Sequence, residues 1–239
     1  MARNRGAELD GSGTPMATRA ALFDVDGTLV DTNYLHVTAW WEAFRQAGQT
    51  VRMAAIHRAI GLGSGDLVAH LLGDERDVDQ DAGIKAAHAA LYATFHDRLP
   101  VFDGARDLLR SLADRGWTLV LATSAGGSEL AALRRAIGAD DVIAGVAGAD
   151  DVAVGKPGPD PVRRALDLAG VPADRAVFLG DTVWDMEAAS KAGVRPLAVL
   201  TGGVPRAALQ AGGAEAVFVN PLDVLANLDT GVFADLEKN

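Results

Sequence analysis

Short apolar runs that alternate with helical segments constrain this 239-residue chain more than any other feature. The runs lie at residues 21–25, 117–122, 142–146, 176–179 and 197–200, and each reads as a short buried strand. Residues 103–115 place Leu108, Leu109 and Leu112 on one helical face, and Gly116 stops that helix. Asp160 is expected to cap a helix with Pro161 in its first position, Leu166 and Ala169 on the buried side and Gly170 at its end. A further helix is predicted over residues 184–192, closed by Gly193. Such alternation specifies a three-layer α/β fold with a mainly parallel, Rossmann-like sheet.

The alternation breaks once, between residues 32 and 98. Leu35, Trp40, Phe44 and Ala47 share a helical face that ends at Gly48, and Met53, Ile56 and Ile60 mark a second helix stopped by the glycine-rich loop 61–65. Residues 67–72 and 84–95 supply further helical material. An α/β core, 19–31 and 99–239, is therefore expected to carry an inserted all-helical cap, 32–98, with Pro100 and Gly104 at the return junction. Trp40, Trp41 and Phe44 are expected to pack the cap rather than form an aromatic cage. Residues 1–18 are small, polar and Gly-containing and read as a flexible N-terminal extension.

Composition narrows the function classes. Apolar residues make up 49% of the chain and charged residues 23%, as in a folded globular protein. A net charge of −10 argues against a nucleic-acid-binding or anionic-membrane surface, and no apolar stretch is long enough to span a bilayer. The absence of cysteine excludes disulfides and thiolate chemistry and fits a cytoplasmic location. No obligatory protein partner is expected.

In a parallel sheet, ligands bind beyond the carboxyl ends of the strands. Four features could meet at that edge: Asp24 and Asp26 after the first run, Thr123 and Ser124 after the second, Lys156 between Gly155 and Pro157, and Asp181 after the fourth run with Asp185 one turn later. A carboxylate can attack phosphorus, and Mg²⁺ prefers carboxylate and water oxygens. Asp24, Asp181 and Asp185 are candidate Mg²⁺ ligands, and Asp26 could add its main-chain carbonyl. Asp26 also suits a general acid and base. Thr123, Ser124 and the turn at Gly27 and Thr28 are candidates to grip phosphate, with Lys156 supplying positive charge. Any one of these features is ordinary alone, since Asp-Gly is a common turn and Asp181 and Asp185 could merely cap a helix. Convergence of several carboxylates without a cation would be repulsive.

On these motifs the chain resembles the haloacid dehalogenase-like hydrolases, in the branch with a helical cap after the first core strand, from about residue 20 to 226. Phosphoglycolate phosphatases and β-phosphoglucomutases share that architecture. The resemblance implies Asp24 as nucleophile, Asp26 as acid/base, Thr123 as the phosphate-binding hydroxyl, Lys156 as the phosphate-neutralising base, and Asp181 and Asp185 as metal ligands. It implies Mg²⁺-dependent hydrolysis of a small phosphorylated metabolite through an aspartyl-phosphate. The family's dehalogenases lack the second aspartate, so Asp26 argues for phosphate chemistry. Its phosphonoacetaldehyde hydrolases use a cap lysine, and no lysine occurs from residue 35 to 84. His36, Arg58 and the Ser64 loop are the candidate cap contributors to the substrate site, whereas His57 and His70 are expected on helix surfaces.

Two alternatives share part of this chemistry. A β-phosphoglucomutase-like enzyme would use the same core residues but deliver the phosphoryl group to a sugar hydroxyl. A phosphorylatable signalling or interaction module would also use an aspartate, Mg²⁺, a hydroxyl and a lysine. Its acidic pair lies on a strand separate from the phosphorylated aspartate, unlike the Asp24/Asp26 arrangement here.

Overall fold

A computed structural model describes residues 19–238; the expected N-terminal extension, 1–18, lies outside the described residues. Strand β1 (Ala20–Phe23) is followed by four helices, α1 (Asn33–Gln46), α2 (Met53–Ala59), α3 (Ser64–Leu72) and α4 (Asp81–Ala93). The chain continues through α5 (Ala105–Asp114), β2 (Thr118–Ala122), α6 (Gly127–Ile137), β3 (Ile143–Ala147), α7 (Asp160–Ala169), β4 (Ala176–Gly180) and α8 (Val183–Ala192). It ends with β5 (Arg195–Val199), α9 (Arg206–Ala211), β6 (Ala216–Phe218), α10 (Pro221–Ala226) and α11 (Gly231–Lys238).

The six strands form one parallel sheet in the order β3-β2-β1-β4-β5-β6. Side chains alternate between its faces. Ala21, Phe23, Leu119, Leu121, Val177 and Leu179 pack with Leu108, Leu109 and Leu112 of α5 and Phe233 of α11. Leu22, Val120 and Phe178 pack on the other side with Val162 and Ala165 of α7 and Ala188 and Ala189 of α8. Burial on both faces explains why the strands read as continuous apolar runs. Each fully buried leucine or phenylalanine contributes roughly 1.5–3 kcal/mol.

Helices α1 to α4 enclose a separate apolar cluster that includes Val37, Trp40, Phe44, Ile56, Leu67 and Ile84. Trp41 departs from expectation and is 40% exposed, because it follows Trp40 by about 100° around α1 and faces away from that cluster. The segment leaves and re-enters the core side by side. Val30 and Val101 form an antiparallel bridge, Asp31 N–H donates to Pro100 O at 2.8 Å, and Phe102 N–H donates to Leu29 O at 3.0 Å.

Three local details differ from the sequence expectation. Strand β1 stops at Phe23, because the carbonyl of Val25 turns to accept N–H bonds from Thr28, Leu29 and Val30. Helix α7 begins at Asp160 itself, behind Pro159, and Asp160 makes no side-chain capping bond. Its buried stripe is Pro161, Val162 and Ala165, with Leu166 and Ala169 half-buried beside it. Strand β6 is three half-buried residues at the sheet edge, too short to show a period.

Candidate active site

Sheet register brings the site together. Phe23 lies level with Leu121 and Leu179, so Asp24 leaves the sheet beside Ala122 and Gly180. Thr123 and Asp181 follow those neighbours directly. Strand β1 is central, so its first residue past the sheet is flanked from both sides.

Around Asp24 the charges are dense and buried. Lys156, from the loop before α7, places Nζ 2.5 Å from Asp24 Oδ1 and 2.8 Å from Asp185 Oδ1. Asp185 sits in the first turn of α8, where its Oδ2 accepts from Thr182 N–H at 3.0 Å and Thr182 Oγ1 at 2.6 Å in a reciprocal capping box. Asp181 is held by Thr28 Oγ1, which donates to Oδ1 at 3.0 Å, and by Asn33 Nδ2, which donates to Oδ2 at 2.8 Å. Gly27 makes this approach possible. It has φ 74°, and a Cβ there would lie 2.4 Å from both Asn33 Nδ2 and Asp181 Oδ2.

Ligand-type oxygens of Asp24, Asp181 and Asp185 lie within 4.8 Å of one another, and all three side chains are buried. Burial, reinforced by Asp185 and Asp26 against the pull of Lys156, pushes the Asp24 carboxyl up to about 7. Burial and the charges of Asp185 and Asp24 push Asp181 well above the usual carboxylate range. Burial opposes the charge on Lys156, but Asp185 and Asp24 outweigh it and hold the ammonium above its ordinary value. One ammonium does not offset three carboxylates. The all-oxygen donor set, together with the buried Oδ1 of Asn33 that lacks a protein partner, fits a hard divalent cation carrying water.

A second network surrounds Asp26, whose side chain turns toward the cap. Thr32 Oγ1 donates to Asp26 Oδ1 at 2.5 Å, and His36 Nε2 lies 3.2 Å from the same oxygen. Burial disfavours the Asp26 charge, yet the bonds to His36 and Thr32 outweigh it and bring the carboxyl below its ordinary range. Burial likewise opposes protonation of His36, and Asp26 overcomes it, so the imidazole pKa is raised. His36 Nδ1 faces His88 Nε2 at 3.2 Å. Burial, then the His36 charge, push His88 down to about 2, so neutral His88 accepts from His36. Glu129 of α6 reaches His36 Nε2 at 3.5 Å, and burial with the nearby Asp26 charge raises its carboxyl to about 7 against the pull of His36.

Asp24, Asp26, His36, Ser64 and Ser124 line one cavity of about 270 Å³ between the sheet edge and the cap helices. Thr123 lies buried at the end of β2, where its Oγ1 accepts from Ala125 N–H at 3.1 Å. Ser124 Oγ donates to Gly61 O at 3.2 Å and thereby joins core to cap. Other expected positions are engaged differently. Thr28 holds Asp181, and the Gly27 N–H is spent on Val30 O at 2.8 Å. Arg58 lines a separate surface hollow with Tyr34, Met53 and His57, while its main-chain oxygen accepts from Trp184 Nε1 at 3.2 Å. His57 meets the core at Gly202 O, 2.8 Å away, and His70 stands edge-on to Trp184. The lysine-free stretch ends one residue too soon to bar a cap lysine from the site: Lys85 lines the cavity.

Thr32, Asn33, Lys85, His88 and Glu129 are the site residues that sequence reasoning did not single out. Thr32 and His36 are four apart at the start of α1, a spacing that aligns them on one face. His88 and Tyr92 repeat that spacing on α4. Glu129 carries no such signal, since its position depends on how α6 packs.

The sequence profile of the haloacid dehalogenase-like hydrolases matches residues 18–193. The chain belongs to this family. It is similar to a phosphoglycolate phosphatase of Rhodospirillum rubrum, with 36% identity over 214 residues that cover 84% of this chain and 86% of the relative. Among solved structures, a hydrolase from Pseudomonas syringae superposes with a TM-score of 0.84 at 32% identity, covering 89% of this chain and 98% of that one. CbbY from Rhodobacter sphaeroides, solved in complex with phosphate, superposes at 0.73 with 29% identity, covering 89% and 100%. Like other haloacid dehalogenase-like hydrolases, the chain combines a six-stranded parallel sheet with helices on both sides.

Proposed function

We propose that this hydrolase cleaves a small phosphomonoester in an Mg²⁺-dependent reaction, through a covalent aspartyl-phosphate on Asp24. The observation that carries this reading is the division of labour between two aspartates two residues apart. Asp24 is bound by Lys156 and faces Asp181 and Asp185, whereas Asp26 is held apart by Thr32 and His36 at the cavity wall. The phosphoglycolate phosphatase of R. rubrum supports a phosphoester substrate. Asp24, Asp181 and Asp185, with the main-chain carbonyl of Asp26, would hold Mg²⁺, which supplies charge neutralisation for a phosphate dianion.

An Asp24 carboxylate oxygen attacks phosphorus, the ester P–O bond breaks, and Asp26 gives its proton to the departing alkoxide. His36 keeps Asp26 ionised in the substrate-free site, and the arriving phosphate charge favours the protonated form that this step needs. Asp26 then takes a proton from water, which attacks the acyl-phosphate and frees both phosphate and Asp24. Lys156 offsets the charge on Asp24 throughout, and Thr123 and Ser124 offer hydroxyls beside it. Most of the acceleration comes from positioning and fixed charge.

The test is phosphate release from a panel of C2–C6 phosphorylated metabolites, with Mg²⁺ or excess chelator. Release that is abolished by chelator and by Asp24→Asn supports the reading. Isomerised sugar phosphate without stoichiometric phosphate selects a mutase, and a stable phosphoprotein without turnover selects a signalling role.

A further inference from the structure

We propose that Lys85 selects phosphoesters whose leaving group carries a carboxylate, an inference that rests on the phosphatase reading above. Lys85 lies on α4, one turn before His88 and Ala89, and all three line the cavity. It is the only lysine or arginine among the described residues that line it. Of the four carboxylates that line that cavity, Asp24 is engaged by Lys156, Asp26 and Glu129 are engaged by His36, and the exposed Asp150 makes no ion pair with Lys85. Lys85 is half-buried and has no hydrogen-bond or ion-pair partner among the described residues.

A half-buried ammonium without a counter-charge is an unfavourable arrangement that a bound anion relieves. The reacting phosphate belongs at Asp24, beside Lys156 at the sheet edge. Lys85 enters from the cap wall, where the leaving group projects. Its flexible stem lets the charge follow a small ligand. A second anionic group on the substrate is therefore the complement of this cavity. Two sources share that chemistry, a carboxylate and a second phosphate. The volume of about 270 Å³, near the lower end of small-molecule sites, favours the compact one.

Three esters of nearly equal size separate charge from shape: phosphoglycolate, the neutral monophosphate of ethylene glycol, and cationic phosphoethanolamine. Wild type is expected to rank them in that order by kcat/KM, ahead of glucose 1,6-bisphosphate. Lys85→Met is expected to cut the phosphoglycolate to ethylene-glycol-phosphate ratio about tenfold, mostly through KM. Lys85→Arg should keep the preference, and Lys85→Glu should shift it toward phosphoethanolamine. Turnover with equal ratios in wild type and Lys85→Met overturns the role of Lys85 and leaves the phosphatase intact. A wild-type preference for the bisphosphate that Lys85→Met abolishes overturns the carboxylate assignment. No phosphate release from any of the four esters by wild type overturns the phosphatase reading and this inference together.

Discussion

Lys156 sets its ammonium 2.5 Å from Asp24 Oδ1, with both side chains almost completely buried. The same ammonium is 2.8 Å from Asp185, so one cation ties the strand β1 carboxylate to the helix α8 carboxylate. Removing it leaves buried negative charge uncompensated. Lys156→Met is expected to cost about 3–5 kcal/mol of stability in the metal-free protein. Urea denaturation should show the loss, and saturating Mg²⁺ should recover part of it without restoring turnover.

The acidic cluster also makes stability depend on pH. Asp24 and Asp181 have raised pKa values in the folded protein, so between about 4 and about 7 the folded state holds more protons than the unfolded chain. That contribution to stability is lost as pH rises through this window. In chelator, thermal unfolding should move to lower temperature between pH 5 and pH 7.5. Asp181→Asn should flatten the slope, raising Tm at pH 7.5 by roughly 2–4 °C for each kcal/mol of repulsion relieved. Mg²⁺ should stabilise wild type and have little effect on this variant.

His36 lowers the pKa of Asp26 through the contact at 3.2 Å. His36→Asn removes the positive charge and should move the acidic limb of the kcat profile to higher pH, because the water-activating step needs Asp26 ionised. A fall in kcat of about 10–100-fold is expected. A uniform loss of activity with an unmoved limb would show that His36 supports structure alone.

Gly27→Ala combines two penalties, a left-handed backbone and a Cβ overlapping Asn33 and Asp181. The strain should cost about 1–3 kcal/mol. Because Asn33 and Thr28 orient Asp181, the variant should also bind Mg²⁺ at least about tenfold more weakly. Isothermal titration measures that directly, without reference to activity.

The strand-end positions were legible because each follows an apolar run, and parallel pairing brings such ends to one edge. That reasoning located Asp24, Thr123 and Asp181 at the sheet edge, whereas His36 came only from the resemblance to capped hydrolases. It did not reach contacts made by packing between distant segments. Asn33 on Asp181 joins residues 148 apart in sequence, and Thr28 on Asp181 joins residues 153 apart. Gly27 and Thr28 sit at the expected turn, but their polar groups serve the turn and the acidic cluster, a distinction set by side-chain direction that spacing does not encode. Strand β6 escaped notice because three half-buried residues carry too little pattern.

The antiparallel crossing at Val30 and Val101 has an architectural consequence. Its two chain ends, Asp31 and Pro100, are already joined by a main-chain hydrogen bond, so the helices between them hang from a closed doorway in the catalytic sheet. Whatever is grafted at that doorway is delivered directly above Asp24 and Asp26, while the sheet pairings stay the same. The cap wall of the cavity and the strand-end residues beneath it are thus joined at a single narrow crossing.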